Sequence, residues 1–426
     1  MSKTLVLGAG LGGLSTAYGL KSALGKGHDV TVINPTDSFQ FTPSNPWVAV
    51  GWRKPQQVQV HLAKPLGRKG IDLVVGEARA VQPAAQKVVL ADGREIAYDQ
   101  LVIATGPELA FSEIPGFGPE PGYTQSVCTL PHAEAAYTAY QAFLKNPGPI
   151  VVGAAQGASC FGPAYEFAMI LDSDLRRRKL RHRVPMTFVT PEPYIGHLGL
   201  GGVGDSKGLL ESALRERHIR WITNTKVKEV TAGQLTAIEH DATGQPIAEH
   251  PVNFGFAMLI PAFRGIDAVM GVEGLVNPRG FILIDSNQRN PRYPEIYGVG
   301  VAVAIAPPEP TPVPTGVPKT GYMIESMSSA VVSNVVSSLS GQPVTAQATW
   351  NAICLADFGD TGMAFVALPQ IPPRNVTWTK EGYWVHLAKA AFEKYYLRRV
   401  RTGNADPFYE KHVLGALGIH RLANGS

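Results

Sequence analysis

TLVLGAGLGGLSTAYGLKSAL, residues 4–24, begins as a short apolar run, crosses a cluster of glycines and continues with apolar residues at helical spacing. The run TLVL predicts a buried strand, and Leu14, Tyr18 and Leu20 carry the helix. Between them Gly8, Gly10 and Gly13 fit G-x-G-x-x-G. After GKGH (25–28) a second apolar run, DVTVIN (29–34), completes a βαβ beginning. A glycine motif between strand and helix predicts a dinucleotide-binding turn. Gly8 allows the tight turn, Gly10 lets the backbone approach a pyrophosphate, and Gly13 lets helix and strand pack closely. The helix N-terminus offers free N–H groups to phosphates. The position after the second strand ordinarily holds an acid for a ribose hydroxyl. Here it is Asn34, followed by Pro35, which hydrogen-bonds a ribose more weakly than a carboxylate does.

The whole chain has 426 residues, enough for two or three domains. Its formal charge of +4 is mild, and no basic run follows a groove-reading pattern, so nucleic acid is excluded as a partner. The 45 glycines and 34 prolines are spread along the chain, without the fixed period of a repeat protein. Three cysteines, Cys128, Cys160 and Cys354, are too few for a stapled secreted scaffold and fit no zinc spacing, so no metal site is expected. The start MSKTLVLGAG reads as a first structural strand rather than a signal peptide. No apolar window reaches the roughly 18 residues of a transmembrane helix.

Further along, AQKVVLADGREIAYDQLVIATGPELAF (85–111) predicts a hairpin turning at Asp92–Gly93 and a strand ending in Ala104, Thr105 and Gly106. FILIDSNQR (281–289) and EIYGVGVAVAI (295–305) follow, with Gly300 after a strand. These stretches resemble the second and third signatures of FAD-dependent pyridine nucleotide-disulfide reductase-like proteins. In that superfamily a strand and glycine approach the flavin's ribityl chain; the usual acid after the glycine is Val301 here. The order of the signatures favours FAD over NAD at the first turn.

A second βαβ start, PIVVGAAQGASC (149–160), leads through a helix to PMTFVT (185–190). After Gly153 the fingerprint positions hold Ala155 and Ala158, and Thr190–Pro191 follows the strand. A side chain at the second glycine position blocks close approach to a pyrophosphate. The reading is a retained fold with tight NAD(P)H binding lost, and with Cys160 near the start of the next helix. Read alone, this fragment is by default a degenerate turn carrying a passive cysteine.

The tail changes character. In TWTKEGYWVHLAKAAFEKYYLRRVRTG (377–403), Trp384, Leu387, Ala388, Ala391, Phe392, Tyr395 and Tyr396 fall near helical spacing. Lys389, Lys394, Arg398, Arg399 and Arg401 are interleaved, and FYEKHVLGALGIHRL (408–422) adds a second amphipathic stretch. Periodicity fits a helix lying in a membrane interface and a helix packed on the core with a basic outer face equally well.

Five stretches together resemble the sulfide:quinone oxidoreductases: FTPSNPWVAVGWRKP (41–55), GASCFGPAYEFAMI (157–170), EPYIGHLG (192–199), PVPTGVPKTGYMIESM (312–327) and ICLADFGDTGMAF (353–365). The resemblance runs from end to end. It implies two Rossmann-like domains with a C-terminal membrane-binding region. Their expected bounds are an FAD-binding domain in two parts (1–147 and 271–350), a second domain at 148–270 and the tail at 351–426.

It also implies roles. Cys160 and Cys354 would form the redox pair beside FAD, with Cys128 an accessory thiol and Glu166 an acid/base group. His132 and His197 would handle protons or stand near the cofactor, while their residue context alone favours satisfied structural histidines. Lys319 would lie at the isoalloxazine edge, and Phe392 and Tyr409 would hold the quinone ring. Relatives with an aromatic residue after the third cysteine differ from this chain, which has Leu355. The implied partners are sulfide, a membrane quinone and the membrane surface, with a homo-oligomer also open. The implied location is a peripheral position on the cytoplasmic face of a bacterial inner membrane.

This resemblance gives the second turn a use, since a sulfide oxidase needs a thiol where a nicotinamide would otherwise lie. The helix start near Cys160 is expected to favour its thiolate. A quinone lives in lipid, which tips the tail towards an interfacial anchor. Three other readings stand beside it: a type II NADH:quinone oxidoreductase, the flavin subunit of a cytochrome-linked sulfide dehydrogenase, and a non-catalytic FAD-binding sensor.

Overall fold

The computed structural model describes residues 2–405 and 419–423. The stretch 4–24 folds as its pattern predicts, a strand Lys3–Leu7 followed by a helix Leu11–Leu24. The strand is buried along nearly its whole length, as a central strand covered on both faces must be. It sits in a five-stranded parallel sheet ordered Ile296–Gly298, Gln100–Ile103, Lys3–Leu7, Asp29–Asn34 and Asp72–Val75. The helix Gly321–Leu339 packs against Leu11–Leu24.

A second parallel sheet is ordered Ile219–Ile222, Met186–Val189, Ile150–Ala154 and Phe256–Ile260. Its strands all come from chain between Gln100–Ile103 and Ile296–Gly298 of the first sheet, so the second unit is inserted into the first. The hairpin at Asp92–Gly93 joins Lys87–Leu90 to Glu95–Ala97, with Gly93 at φ +87°. This is the doubly wound α/β architecture the two glycine turns predict.

The tail forms an antiparallel sheet of Ala352–Asp357, Gly362–Leu368 and Val376–Glu381, with the helix Tyr383–Thr402 laid against it. No helix among the described residues is long and apolar enough to cross a membrane. The tail helix departs from the sequence reading. Lys389 and Arg399, expected on an outer basic face, are buried in ion pairs with Glu166 and Glu325. Phe392 and Tyr396 also turn inward, against Phe41. What remains outside is a stripe, apolar first (Trp384, Leu387, Ala391) and basic afterwards (Lys394, Arg398, Arg401).

Candidate functional site

All strands of the five-stranded and the four-stranded sheet run parallel, so both glycine turns lie at the carboxyl edges of their sheets, where ligands of such folds bind. At the first turn the inward side is full. Gly8 has φ +105°, and a Cβ there would stand 2.4 Å from the carbonyl oxygen of Ala104. The outward side is open: a Cβ at Gly10 or at Gly106 would meet nothing within 4 Å. Asn34 braces the turn, its Oδ1 accepting from the Ala9 N–H at 2.9 Å and its Nδ2 donating to the Thr36 carbonyl at 2.8 Å. Thr105 turns its hydroxyl onto the Gly106 carbonyl. Gly300 follows the neighbouring strand at φ +76° and donates to the Met327 sulfur. A tight inner face with an open, side-chain-free outer face fits a dinucleotide phosphate.

The second turn is closed. Ala155 and Ala158 are fully buried. The segment Pro314–Gly316 lies across them: Gly157 N–H donates to the Pro314 carbonyl at 2.7 Å, and Gly316 N–H donates to the Ala158 carbonyl at 2.8 Å. The sequence attributes the loss of this nucleotide site to two alanine methyls; the fold adds a strap of backbone across the same place.

Cys160 follows this strapped turn, two residues before the helix Gly162–Arg177 begins. Cys354 lies on the strand Ala352–Asp357, its Sγ 3.9 Å from where a Gly162 Cβ would stand. All three cysteines are free thiols. Cys354 and Cys128 are both close enough for their charge to act on Cys160. Burial pushes Cys160 up to about 12, with Cys354, Cys128 and Glu166 adding to the rise and Lys319 opposing it. Burial likewise pushes Cys354 and Cys128 up to about 11, and a Ser126 hydrogen bond pulls Cys128 back slightly. Burial and the charges of Cys354, Cys128 and Glu166 run against the expectation that the helix start favours the Cys160 thiolate.

Glu166 lies one turn into that helix, 5% exposed, and pairs with Lys389 of the tail helix. Burial raises it to about 7, Lys389 pulls it down, and Asp357 raises it further. The Lys389 ammonium also sits 5.1 Å from the centre of the Trp47 ring. Trp47 Nε1 donates to Asp357 Oδ2 at 2.7 Å, and His386 Nδ1 lies 2.8 Å from Asp357 Oδ1. Lys319, at the end of the strap, makes no salt bridge among the described residues. Burial lowers it to about 8, with the charge of Cys160 acting against that.

The two histidines part company. His197 is fully used: Nε2 lies 3.1 Å from Glu309, and Nδ1 accepts from Gly199 N–H at 3.2 Å, so Nε2 carries the proton. His132 opens the helix Leu130–Phe143, its ring 5.9 Å from Phe111 and its Nδ1 buried without a partner. Burial lowers both. Phe392 packs on Phe41 at 6.0 Å and Tyr396 at 5.8 Å. Tyr409 lies outside the described residues.

Residues 2–319 match the family model described as pyridine nucleotide-disulphide oxidoreductase. The chain is 43% identical to the sulfide-quinone reductase of Aquifex aeolicus over 412 residues, covering 96% of this chain and 94% of that one. The X-ray structure of the sulfide:quinone oxidoreductase from that bacterium superposes with a TM-score of 0.94 at 42% identity, covering 99% and 97% of the two chains. The chain belongs to the sulfide:quinone oxidoreductase family. NDH2 of Plasmodium falciparum, solved with NADH, shares the fold at a TM-score of 0.68 but only 14% identity, with 98% and 100% of the chains covered.

Membership of this flavoprotein family gives the cysteine constellation its context, and the fold adds residues that the pattern alone had not singled out. Lys389 was read as an outer basic residue, 223 positions from the carboxylate it meets. Glu192, in EPYIGHLG, is fully buried and accepts from Tyr165 Oη at 2.7 Å, Thr190 Oγ1 at 2.8 Å and Leu198 N–H at 2.7 Å. It ties the helix bearing Glu166 to the loop bearing His197.

Proposed function

We propose that the protein oxidises sulfide at Cys160 and Cys354 and passes the electrons through FAD to a membrane quinone. The observation that carries this is the convergence of Cys160, Cys354 and Cys128 with Glu166 and Lys319 beside a strapped second turn. Gly8, Gly10, Gly13 and Ala104–Gly106 would hold the dinucleotide, with Asn34 bracing the turn, Gly300 beside the ribityl chain and Lys319 at the ring edge. Bound FAD supplies a two-electron store between the sulfur centre and the quinone.

The chain's own part is sulfur and proton chemistry. In the oxidised protein Cys160 and Cys354 are bridged. Hydrosulfide attacks the Cys160 sulfur, the bridge breaks, and the Cys354 sulfur leaves with the bonding pair while a persulfide remains on Cys160. A sulfur whose thiol titrates at about 11 is a poor leaving group at neutral pH. Glu166, at about 7, carries a proton that the released sulfur can share, and Lys389 adds positive charge. Lys319 faces Cys160, where the negative sulfur chain would grow. Cys128, whose charge acts on Cys160, would take part in releasing that chain. His132, with an unpaired Nδ1, is the better proton carrier of the two histidines; His197 serves the loop.

Phe392, held by Phe41 and Tyr396, forms part of an aromatic wall suited to a quinone ring. Exposed Tyr383, Trp384 and Leu387 (57%, 46% and 54%) suit a peripheral seat in the membrane interface, with no spanning helix needed. The strap over Ala155 and Ala158 weighs against NADH as donor.

The test is anaerobic mixing of the flavin-loaded protein with sulfide or with NADH. Bleaching of the flavin by sulfide and not by NADH is expected, with Cys160→Ser and Cys354→Ser each retaining flavin and losing the response. Bleaching by NADH alone would overturn the proposal.

A further inference from the structure

A second charged centre lies away from the cysteines. The helix Gly162–Arg177 ends in Arg176 and Arg177, and Arg178, Lys179, Arg181 and Arg183 follow. Arg217 and Arg220 lie just beyond the helix Ser206–Glu216. Across 172–183 and 216–220 there are eight Lys and Arg against three Asp and Glu, an excess far above the near-balance of the whole chain. Between these segments is a cavity of about 760 Å³ lined by Arg176, Lys179, Arg181, His182, Arg217 and His218, with Glu216 also on its wall.

The cations exceed what the local fold uses. Asp172 is fully buried and faces three guanidiniums: Arg181 Nε at 2.6 Å, Arg176 Nε at 2.9 Å and Arg217 Nε at 3.7 Å. Arg217 also reaches Asp360 at 3.1 Å. Lys179 is exposed at φ +61° and makes no ion pair among the described residues. Like charges gathered around a cavity repel one another, and an anion entering that cavity relieves the repulsion.

Position says which anion. Arg177 stacks 4.4 Å over Trp52 and donates to the Gly359 carbonyl at 2.8 Å. Gly359 and Asp360 form the turn between the first two tail strands. Gly382 N–H then bonds the Gly362 carbonyl at 2.9 Å, which fixes the start of the tail helix to that turn. The exposed Tyr383, Trp384 and Leu387 follow directly. Basic basin and exposed aromatics therefore share one end of the tail sheet, the pairing that suits a bilayer's phosphate layer and its apolar edge.

We propose that this basin seats the phosphate of an anionic lipid headgroup, giving the protein a second, charge-selective foothold beside the tail helix. The inference rests on the membrane-surface reading above. A free phosphate compound would offer the same chemistry without the apolar neighbour, and the test separates the two.

Purified full-length protein is sedimented with vesicles of phosphatidylcholine alone and of phosphatidylcholine mixed equally with phosphatidylglycerol. Wild type is expected on both and more tightly on the mixed vesicles. Arg176→Gln combined with Lys179→Asn is expected to keep the neutral binding and to lose on the order of thirtyfold of the anionic increment, two charges each contributing about fivefold. Asn is chosen at 179 because it tolerates a left-handed backbone. Lys179→Glu alone, with turnover on a soluble quinone analogue as a fold check, covers the case in which the double variant misfolds. An unchanged increment in both variants overturns the basin. Saturable inorganic phosphate binding that the variants lose, with vesicle binding intact, overturns the lipid assignment. Failure of wild type to bind both kinds of vesicle overturns the membrane reading, and this inference with it.

Discussion

Glu166→Gln separates a proton-sharing carboxyl from a merely structural one. The Cys354 thiol is pushed up to about 11, so releasing its thiolate near pH 7 is uphill by about four units, roughly 5 kcal/mol at 1.36 kcal/mol per unit. Disulfide exchange transmits about half of such a difference into the rate. About 2–3 kcal/mol of barrier, on the order of a hundredfold, is therefore within reach of a proton shared from Glu166. That agrees with the lower end of what positioned acids contribute. The sign follows from the charge. Glu166 is raised to about 7, so its proton is present below that pH and lost above it. Sulfide-driven flavin reduction in wild type should weaken as pH rises through about 7 on this limb. In Glu166→Gln, stopped-flow bleaching should slow about a hundredfold at pH 6 and lose that inflection. Glutamine keeps the volume but leaves the buried Lys389 ammonium without its carboxylate, so a lowered melting temperature is expected as well, and retained flavin content serves as the fold check. A variant that bleaches within about threefold of wild type at pH 6, with the inflection intact, would refute the reasoning.

Three further outcomes follow from the same contacts. Gly10→Ala meets no protein atom, so it should leave the melting temperature of the flavin-free protein unchanged while lowering flavin content; Gly8→Ala, driven into the Ala104 carbonyl at positive φ, should lose folded yield as well. Restoring both fingerprint glycines, Ala155→Gly with Ala158→Gly, should still give no bleaching by NADH, because Pro314 and Gly316 stay bonded across the turn; NADH turnover would show that the alanines alone closed the site. Glu192, raised to about 7 by burial, contributes stability as the neutral acid, fully present below about pH 4.5 and lost as pH rises through about 7. Glu192→Gln should therefore gain on wild type between pH 5 and pH 8 by roughly 3 kcal/mol in urea melts, and an equal gap at both pH values would count against a buried, cation-free carboxyl.

Local pattern carried the fold a long way. The order of strand, glycines and helix at 4–24 is set by steric demands acting within a few residues, and the hairpin at Asp92–Gly93 is likewise a local event. Cys160 and Cys354 were legible as a pair only through resemblance, since nothing within either stretch points at the other. The tail shows where periodicity misleads. A 3.6-residue repeat reports which residues share a face, not which face is covered, so Lys389 and Arg399 were placed outside by their charge. They are inside because Glu166 and Glu325, on two other helices, pair with them there. Each removes the burial cost of the other, and neither sequence segment reads as buried when taken alone.

That pairing has a mechanical consequence. Lys389 belongs to the same helix that exposes Trp384 and Leu387, and its ammonium ends against Glu166 beside the sulfur centre. The helix is ion-paired to the acid on its inner side, so the placement of the helix fixes the acid's charge environment, and under the proposed membrane seat it would do so from the lipid side. Lys389→Met removes the opposing charge and leaves burial to act alone, so the Glu166 inflection should move upward from about 7. The measurement is the same stopped-flow pH series as for Glu166→Gln. An inflection that stays in place, or moves down, would mean the tail helix has no electrostatic hold on the acid.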